Sequence, residues 1–342
     1  MSDEIHEILK IPDLPVIEIV DDLVQVFKEY MVVNAALKLD LFSWLAENGP
    51  ATPEKMATET GIRPEYMTGL LGMLYYLDMV RKAGDEFSIS PAARMNFVRN
   101  SPFYQGDYIM NLPADDSPWK DLVVFLTKPD QKTTFDTSSL PAVRSEANHA
   151  LRGTVQSVTN VLKTWDGFSD AKTFLEMNGG HGLYAIAACQ NNPQMTATVL
   201  TGSADPSVAK DYVIRFGMED RIRVLPGDLS VNTDQECDII LISHALYRMT
   251  DRLDDVLSKV ASILTPHGLF FSNHWFSRAP VGTGMQGLYE LELAIHDHYH
   301  ELPDKELFES LCLKNNLPIL QAGIIRSRYG ESTIHMAEKK GI

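Results

Sequence analysis

Apolar residues recur every three or four positions across Val16–Val98, which is the spacing of amphipathic helices. The first part of this stretch predicts two or three such helices. Another helix begins at Thr52, which can cap it, with Pro53 in the first turn, and a further helix begins near Pro64. The polar stretch that follows contains Gly84 and predicts a two-stranded hairpin. Helices followed by two short strands in this order indicate a winged-helix fold.

A winged helix suggests DNA binding, through a helix that carries basic and amide side chains to bases and phosphates. The candidate helix here, Pro64–Met79, contains no lysine or arginine and is rich in leucine. We therefore interpret the N-terminal 100 residues as a dimerisation domain, because a dimer would cover the surplus of apolar side chains.

The pattern changes along the chain. Residues 101–165 are helical with interruptions, and we expect them either to form a lid that lines a pocket or simply to pack as helices. From residue 166 onward, short apolar strands alternate with helices of about 10–15 residues, which predicts a doubly wound parallel sheet. The sequence thus predicts an α/β protein in three parts, 1–100, 101–165 and 166–342. Ligands of such sheets bind at the carboxyl ends of the strands.

The stretch LEMNGGHGLYA, Leu175–Ala185, predicts a buried strand that runs through a glycine turn into a helix. Gly179, Gly180 and Gly182 let the backbone turn sharply and approach a ligand closely. The spacing lacks the longer pattern of a dinucleotide fingerprint, so a pyrophosphate is not specifically indicated. A tight turn without a ligand is the alternative.

The net charge of -16 and the sequence pI of about 5.0 disfavour binding to nucleic acid or to an anionic membrane. No stretch is long and apolar enough for a membrane span, and residues 1–10 do not resemble a signal peptide, so we expect a cytoplasmic protein. Cys189, Cys237 and Cys312 stand far apart, which predicts reduced core thiols rather than disulfides or a zinc site.

Several motifs in the right order carry a resemblance: ALKLDLFSWLAENGPATPEKM, then LEMNGGHG, RIRVLPGD and LTPHGLFF, and finally STIHMAEKK. The chain resembles the dimeric class I S-adenosylmethionine-dependent O-methyltransferases of the hydroxyindole and caffeate type, in their bacterial small-molecule branch. The resemblance implies a Rossmann-like methyltransferase domain behind a winged-helix dimerisation domain. It also implies S-adenosylmethionine as cofactor, a small-molecule acceptor and a homodimer.

The resemblance also implies site residues, carried over by position. The cofactor would contact Glu176, Gly179, Gly180, Gly182, Thr201, Asp228, Leu229 and Ser243. Side chains that could line the acceptor pocket are Tyr108, Trp119, Asn148, Arg152, His244 and His274. The positions of the family's catalytic groups fall on Tyr247, Arg248 and Glu301.

The cofactor motifs depart from the family pattern. Thr201 stands where the family has an acid that accepts both ribose hydroxyls. A charge-assisted hydrogen bond is worth roughly 1.5–3 kcal/mol, so its loss would weaken the cofactor by about 10- to 150-fold unless Asp205 or another group substitutes. Asn178 and His181 occupy places where the family mostly has glycine and a small hydroxyl residue, which predicts a bulkier pocket.

The catalytic motif departs as well, because SHALYRMTD places Tyr247 at the family's general-base histidine and Arg248 at the neighbouring aspartate. A tyrosine with a pKa near 10 is a poor base for a phenol acceptor of similar pKa. Of the two acids that flank the histidine in plant members, the first position is Asn273 here and the second is kept as Glu301.

Three hypotheses follow. The first keeps methyl transfer, either to an acceptor that is already nucleophilic at neutral pH, such as a carboxylate, a thiol or a stabilised carbanion, or with His244 or His274 as base. The second keeps the pocket but catalyses rearrangement, hydroxylation or decarboxylation of a related metabolite, with Tyr247 and Arg248 as hydrogen-bond donors. The third is a binding or regulatory protein without catalysis. The first is favoured.

The run HDHYH, His296–His300, raises the question of a metal, because imidazole clusters suit zinc, iron, copper or nickel. In a helix His296 and His300 would share a face, whereas His298 would not. We predict a solvated or substrate-facing run and no bound metal.

Overall fold

The computed structural model describes residues 14–115, 117–127, 138–228, 236–276, 302–327 and 330–341, with single helical residues at 288, 291 and 295. The chain divides into two compact units, Met1–Met110 and Asn111–Ile342. The three-part division expected from the sequence stays a prediction. Within the described ranges, no helix combines the length and the apolar character needed to cross a membrane.

The N-terminal unit consists of helices around one short hairpin. The helices are α1 (Leu14–Lys38), α2 (Leu41–Asn48), α3 (Pro53–Thr60), α4 (Pro64–Tyr76), α5 (Pro91–Phe97) and α6 (Gly106–Asn111), and the strands are β1 (Val80–Ala83) and β2 (Glu86–Ile89). The Thr52 hydroxyl accepts a hydrogen bond from the Lys55 amide and caps α3, as its sequence predicts. The hairpin turns at Gly84, whose φ is +60°.

Helix α1 leaves a row of large apolar side chains uncovered in the isolated chain. Leu23 is 68% exposed, Phe27 63% and Val26 62%. Further along, Val33, Ala36 and Leu37 are buried in the core of the unit. The exposed part of α1 is therefore apolar without a partner inside the described chain.

The C-terminal unit is built on a seven-stranded sheet. Its strands are β3 (Thr173–Met177), β4 (Thr196–Leu200), β5 (Ile222–Leu225), β6 (Cys237–Ser243), β7 (Leu264–His274), β8 (Ile319–Ser327) and β9 (Gly330–Glu338). The helices are α7 (Leu122–Thr127), α8 (Leu140–Ala150), α9 (Thr154–Leu162), α10 (Leu183–Asn191), α11 (Pro206–Arg215), α12 (Leu253–Ile263) and α13 (Lys305–Lys314), with 3₁₀ helices at Asp166–Ser169 and Tyr247–Arg252.

The strand order is β5-β4-β3-β6-β7-β9-β8, with β3 to β7 parallel and β8 and β9 antiparallel to their neighbours. One apolar core packs α8 to α11 against one face of the sheet, and a second packs α12 and α13 against the other. This is the predicted doubly wound architecture. The chain leaves β3 towards β4 and β5 and returns to β6 on the other side of β3, so the switch in strand order lies between β3 and β6.

Candidate functional site

The carboxyl ends of β3 and β6 meet at this switch point, where ligands of doubly wound sheets bind. Met177 pairs with Ile242 in the parallel register, so the residues that follow both strands emerge side by side. After β3 comes the glycine turn, and β6 ends at Ser243, which is followed by the segment from His244 to Tyr247.

The glycine turn is closely packed. Gly182 has φ +69° at the start of α10, and a Cβ there would lie 3.4 Å from the side chains of Ala209 and Val199. A Cβ at Gly179 would overlap with the Glu176 carboxyl group. A Cβ at Gly180 would lie 3.2 Å from Val143. The glycines therefore allow the carboxylate, the helices and the turn to approach one another.

Glu176 is the ionisable residue beside the turn. It is buried on β3, and its Oε2 accepts a hydrogen bond of 2.7 Å from the Ala185 amide in the first turn of α10. Its Oε1 has no hydrogen-bond partner within the described part of the chain. Burial raises the pKa of Glu176 to about 8, the Ala185 amide opposes the shift, and Glu146 adds to it. This carboxyl group is thus able to receive a cationic ligand.

Helix α8 covers the glycine turn and adds two titratable side chains that the sequence analysis did not select. Val143 contacts the turn, and Glu146 and His149 follow it at spacings of three and six along the helix. The Glu146 side chain is solvent-accessible, and desolvation by the surrounding protein raises its pKa. Burial also lowers the pKa of His149 to about 4, with nearby Arg152 adding to the effect.

His244 and Tyr247 form a closely hydrogen-bonded pair after β6. The Tyr247 hydroxyl lies 2.5 Å from His244 Nδ1 and accepts a hydrogen bond of 3.0 Å from the Trp275 amide. His244 has φ +52°, a left-handed conformation that is uncommon for histidine. The Trp275 ring stacks on the Tyr247 ring with centroids 5.6 Å apart. These contacts occupy polar atoms that a catalytic base would need.

Asn273, at the family's acidic position, extends this network. Its Nδ2 lies 3.2 Å from Ser243 Oγ and 3.2 Å from His244 Nε2. Ser243 Oγ in turn lies 3.4 Å from the Tyr184 hydroxyl. A continuous chain of hydrogen bonds therefore runs from Tyr184 on α10 to Tyr247.

The network is uncharged at neutral pH. Burial, together with a smaller effect of the neighbouring His149, lowers the pKa of His244 to about 3. Burial also raises the pKa values of Tyr247 and Tyr184 above the ordinary value of 10. Imidazole and phenol thus keep their neutral forms.

Two predicted ligand residues make internal hydrogen bonds instead. The Thr201 side chain is buried, and its hydroxyl donates 3.0 Å to the Ala204 carbonyl. Asn148 is fully buried, and its Nδ2 donates to the Tyr212 hydroxyl at 3.3 Å. These contacts join both side chains to the surrounding protein, and their roles as ligand residues stay predictions.

His274 points to the other face of the sheet. It is fully buried, its ring centroid lies 6.4 Å from that of Phe276 and also from that of Phe308, and neither ring nitrogen has a hydrogen-bond partner among the described residues. Burial lowers its pKa well below the ordinary value of 6.5, with His244 and His335 contributing. Its ring centroid also lies 5.7 Å from that of Tyr247 and 6.3 Å from that of His244, so His274 borders both the two phenylalanine rings and the His244–Tyr247 pair.

The remaining predicted residues divide into described and undescribed positions. Asp228 follows Gly227, whose backbone pairs with that of Gly202, so the turns after β4 and β5 are joined. Trp119 is half-buried, Arg152 is exposed, and Tyr108 is half-buried in the N-terminal unit. The predicted residues outside the described parts are Leu229, the Arg248 side chain, Glu301 and the run 296–300, so their roles stay predictions.

Comparison with known proteins supports the class of fold. The chain superposes on an O-methyltransferase family protein from Burkholderia thailandensis with a TM-score of 0.71 and 18% identity, covering 95% of this chain and 98% of that one. It also superposes on human N-acetylserotonin methyltransferase, determined in complex with S-adenosylmethionine, with a TM-score of 0.67, 17% identity and coverages of 97% and 99%. The C-terminal unit thus has a Rossmann-like methyltransferase fold.

The sequence relatives define the N-terminal unit more closely. Residues 21–99 match the O-methyltransferase dimerisation domain. The chain is 23% identical to bacteriochlorophyllide d C-20 methyltransferase of Chlorobaculum tepidum, over 68% of this chain and 70% of the relative. It is 24% identical to mitomycin biosynthesis 6-O-methyltransferase of Streptomyces lavendulae, over 73% and 74%. The chain carries the O-methyltransferase dimerisation domain, and its resemblance to the bacterial class I O-methyltransferases is confirmed.

Proposed function

We propose that this protein transfers a methyl group from S-adenosylmethionine to a small-molecule acceptor. The observation that carries the proposal is the buried Oε1 of Glu176, which has no hydrogen-bond partner among the described residues and lies beside the glycine turn, at the switch point of a methyltransferase fold. A buried carboxyl oxygen without a hydrogen bond is costly, which favours a ligand that supplies the missing donor.

The residues present fit this cofactor. Glu176 would receive its ammonium group, and the glycine turn with the N-terminus of α10 would hold its carboxylate. Asp228, on the turn after β5, would lie beside the adenosine. When bound, S-adenosylmethionine supplies an electrophilic methyl group on a sulfonium ion.

The hydrogen-bond network after β6 limits the choice of acceptor. Protonation of His244 at pH 7, about four pH units above its pKa, would cost a free energy on the order of 5 kcal/mol. Tyr247 is neutral and bonded to His244, so it shapes the pocket rather than removing a proton. The acceptor is therefore one that is already nucleophilic at neutral pH, such as a carboxylate, a thiol or a stabilised carbanion. The names of the two curated relatives describe methylation at carbon and at oxygen, so both kinds of acceptor occur among similar proteins.

Calorimetry with S-adenosylmethionine and S-adenosylhomocysteine tests the proposal. We expect both to bind at micromolar concentration. Labelled methyl transfer is then measured to a panel of carboxylates, thiols, acidic carbon acids and phenols of pKa near 10, and we expect transfer to the first three kinds. No binding of either compound at millimolar concentration would overturn the proposal.

We also propose a homodimer formed through the N-terminal unit. The matched dimerisation domain and the exposed apolar side chains of α1 support it, because monomers rarely expose a contiguous apolar patch of this kind. Light scattering should give twice the chain mass of 38.3 kDa. A single species at the chain mass at micromolar concentration would contradict the dimer.

A further inference from the structure

At the end of β4, Thr201 replaces the acidic side chain that is expected to bind the ribose hydroxyls. Another group near this position is needed for that role. In nucleoside-binding doubly wound sheets, a side chain about 20 residues beyond the glycine turn, at the end of the next strand, binds the ribose hydroxyls. Thr201 holds that position here. Its side chain is buried and its hydroxyl is directed to the Ala204 carbonyl, inside the protein.

Asp205, the nearest acid along the chain, is committed elsewhere. Its side chain accepts a hydrogen bond of 2.8 Å from the Ser207 amide and caps α11. This capping bond lowers the pKa of Asp205, which is fully exposed. Its carboxylate therefore serves the helix rather than the turn after β4.

Asn178 reaches the same place from the neighbouring strand. Asn178 has φ +52°, and this left-handed conformation turns its side chain from the end of β3 towards the end of β4. Its Oδ1 lies 2.6 Å from the point where a Cβ at Gly202 would stand. The amide therefore passes over Gly202, directly beside Thr201, and only glycine at position 202 leaves room for it.

The side-chain amide of Asn178 is also available for hydrogen bonds to a ligand. Its side chain is half-buried and makes no hydrogen bond within the described ranges. An amide offers two donors and an acceptor, which complement a pair of neighbouring hydroxyl groups. The turn that follows is held in place independently, by the Gly179 amide on the Leu200 carbonyl at 3.0 Å and by the Gly202 amide on the Gly227 carbonyl at 2.9 Å.

We propose that Asn178, made possible by Gly202, binds the ribose hydroxyls of the cofactor in place of the missing acid at position 201. This inference rests on the proposed function. A neutral amide forms weaker hydrogen bonds than a carboxylate, so the ribose contributes less to affinity here than a charged partner would provide.

The test is calorimetric binding of S-adenosylhomocysteine and of its 2′,3′-dideoxy analogue, because their affinity ratio measures ribose recognition alone. We expect the wild type to prefer the diol by about tenfold. Asn178→Gly fits the left-handed backbone and should lower this ratio to about one. Asn178→Asp should preserve or increase the ratio, because the carboxylate accepts from both hydroxyls.

Two control variants test whether the neighbouring side chains of Thr201 and Asp205 contribute to ribose binding. Thr201→Val and Asp205→Asn should both keep the tenfold preference, since the first removes only an internally bonded hydroxyl and the second keeps a capping oxygen. The inference is overturned if Asn178→Gly keeps the preference, or if either control loses it. If the wild type binds neither compound, the proposed function fails instead, which is a different result.

Discussion

The candidate site has two halves, a cofactor half around the glycine turn and an acceptor half after β6. They differ in whether their buried polar atoms have hydrogen-bond partners. Around the glycine turn, Glu176 keeps a buried oxygen without a hydrogen-bond partner among the described residues, and its pKa is raised to about 8. After β6, His244 bonds to Tyr247, and Asn273 bonds to both His244 and Ser243. A cationic ligand would therefore supply the hydrogen bond that Glu176 lacks in the first half, whereas the side chains of the second half stay neutral at pH 7.

This difference suggests how the sequence could lose the family's general base and still carry out methyl transfer. Transfer from a sulfonium depends mainly on positioning of the two reactants, and a base is needed only for acceptors that arrive protonated. The cofactor half is therefore the part that every acceptor requires. The acceptor half sets which acceptors can react.

The largest expected effect comes from filling the glycine turn. Gly180→Leu should weaken S-adenosylhomocysteine by more than about 100-fold, because even a Cβ there meets Val143 at 3.2 Å and Ala204 at 3.3 Å, so a larger side chain must enter the ligand space or displace α8. Calorimetry measures the affinity, and thermal unfolding checks that the variant folds.

A matched control is Gly69→Leu on α4, where a Cβ has no described atom within 4 Å. It should bind like the wild type. Unchanged affinity in Gly180→Leu would place the ligand elsewhere and would remove the first half of the comparison.

The next effect is the part of the pH dependence of stability that comes from Glu176. Its folded pKa lies above the ordinary 4.5, so the protonated form stabilises the fold at low pH and this contribution is lost as pH rises towards about 8. Between pH 6 and 8.5 the wild type should lose about 2 kcal/mol of unfolding free energy that Glu176→Gln does not lose. Urea unfolding across this range measures the difference, and equal slopes in both proteins would contradict it.

The cofactor half was predictable because its signal is local. A buried strand, three closely spaced glycines and a helix follow one another within Leu175–Ala185, and the structure has β3, the turn and α10 in that order. The doubly wound sheet and the hairpin at Gly84 were predictable for the same reason, since alternation and turn residues are written along the chain.

The acceptor half was less predictable because Asn273 reaches Ser243 and His244 from a distant segment. The cofactor half also receives side chains from a distant segment: Glu146 and His149 lie on α8, where Arg144 bonds Asp211 at 3.0 Å and Asn148 bonds Tyr212. Their spacing on a helix does not by itself select the face towards the glycine turn.

The directions of other side chains depend on backbone conformation, which the sequence pattern does not give. The left-handed φ of His244 brings its ring to Tyr247, and His274 alternates to the far face of β7. A sequence motif identifies such positions but does not give the direction of the side chain.

A third prediction concerns a variant that gives the acceptor half a carboxylate, as the cofactor half already has. Asn273→Asp places a carboxylate where Nδ2 now lies 3.2 Å from His244 Nε2, and an opposite charge at that distance raises a histidine pKa by about 1–3 units. We expect the His244 pKa to rise from about 3 towards the range of ordinary histidines. Imidazole chemical shifts measured against pH follow this change. Asn273→Ser, which adds no charge, is the control and should leave the pKa low.

The smallest effect should come from Tyr247→Phe. Removing the hydroxyl leaves His244 Nδ1 and the Trp275 amide without their partner, which should lower the free energy of unfolding by about 1–2 kcal/mol. If the acceptor needs no base, kcat should fall only a few-fold, and no new pH dependence should appear below pH 9. Unfolding curves and the pH profile of methyl transfer are measured on the same preparation. A loss in kcat of about 100-fold or more, with stability nearly unchanged, would show that the phenol takes part in the chemistry, and the contrast between the two halves of the site would then no longer hold.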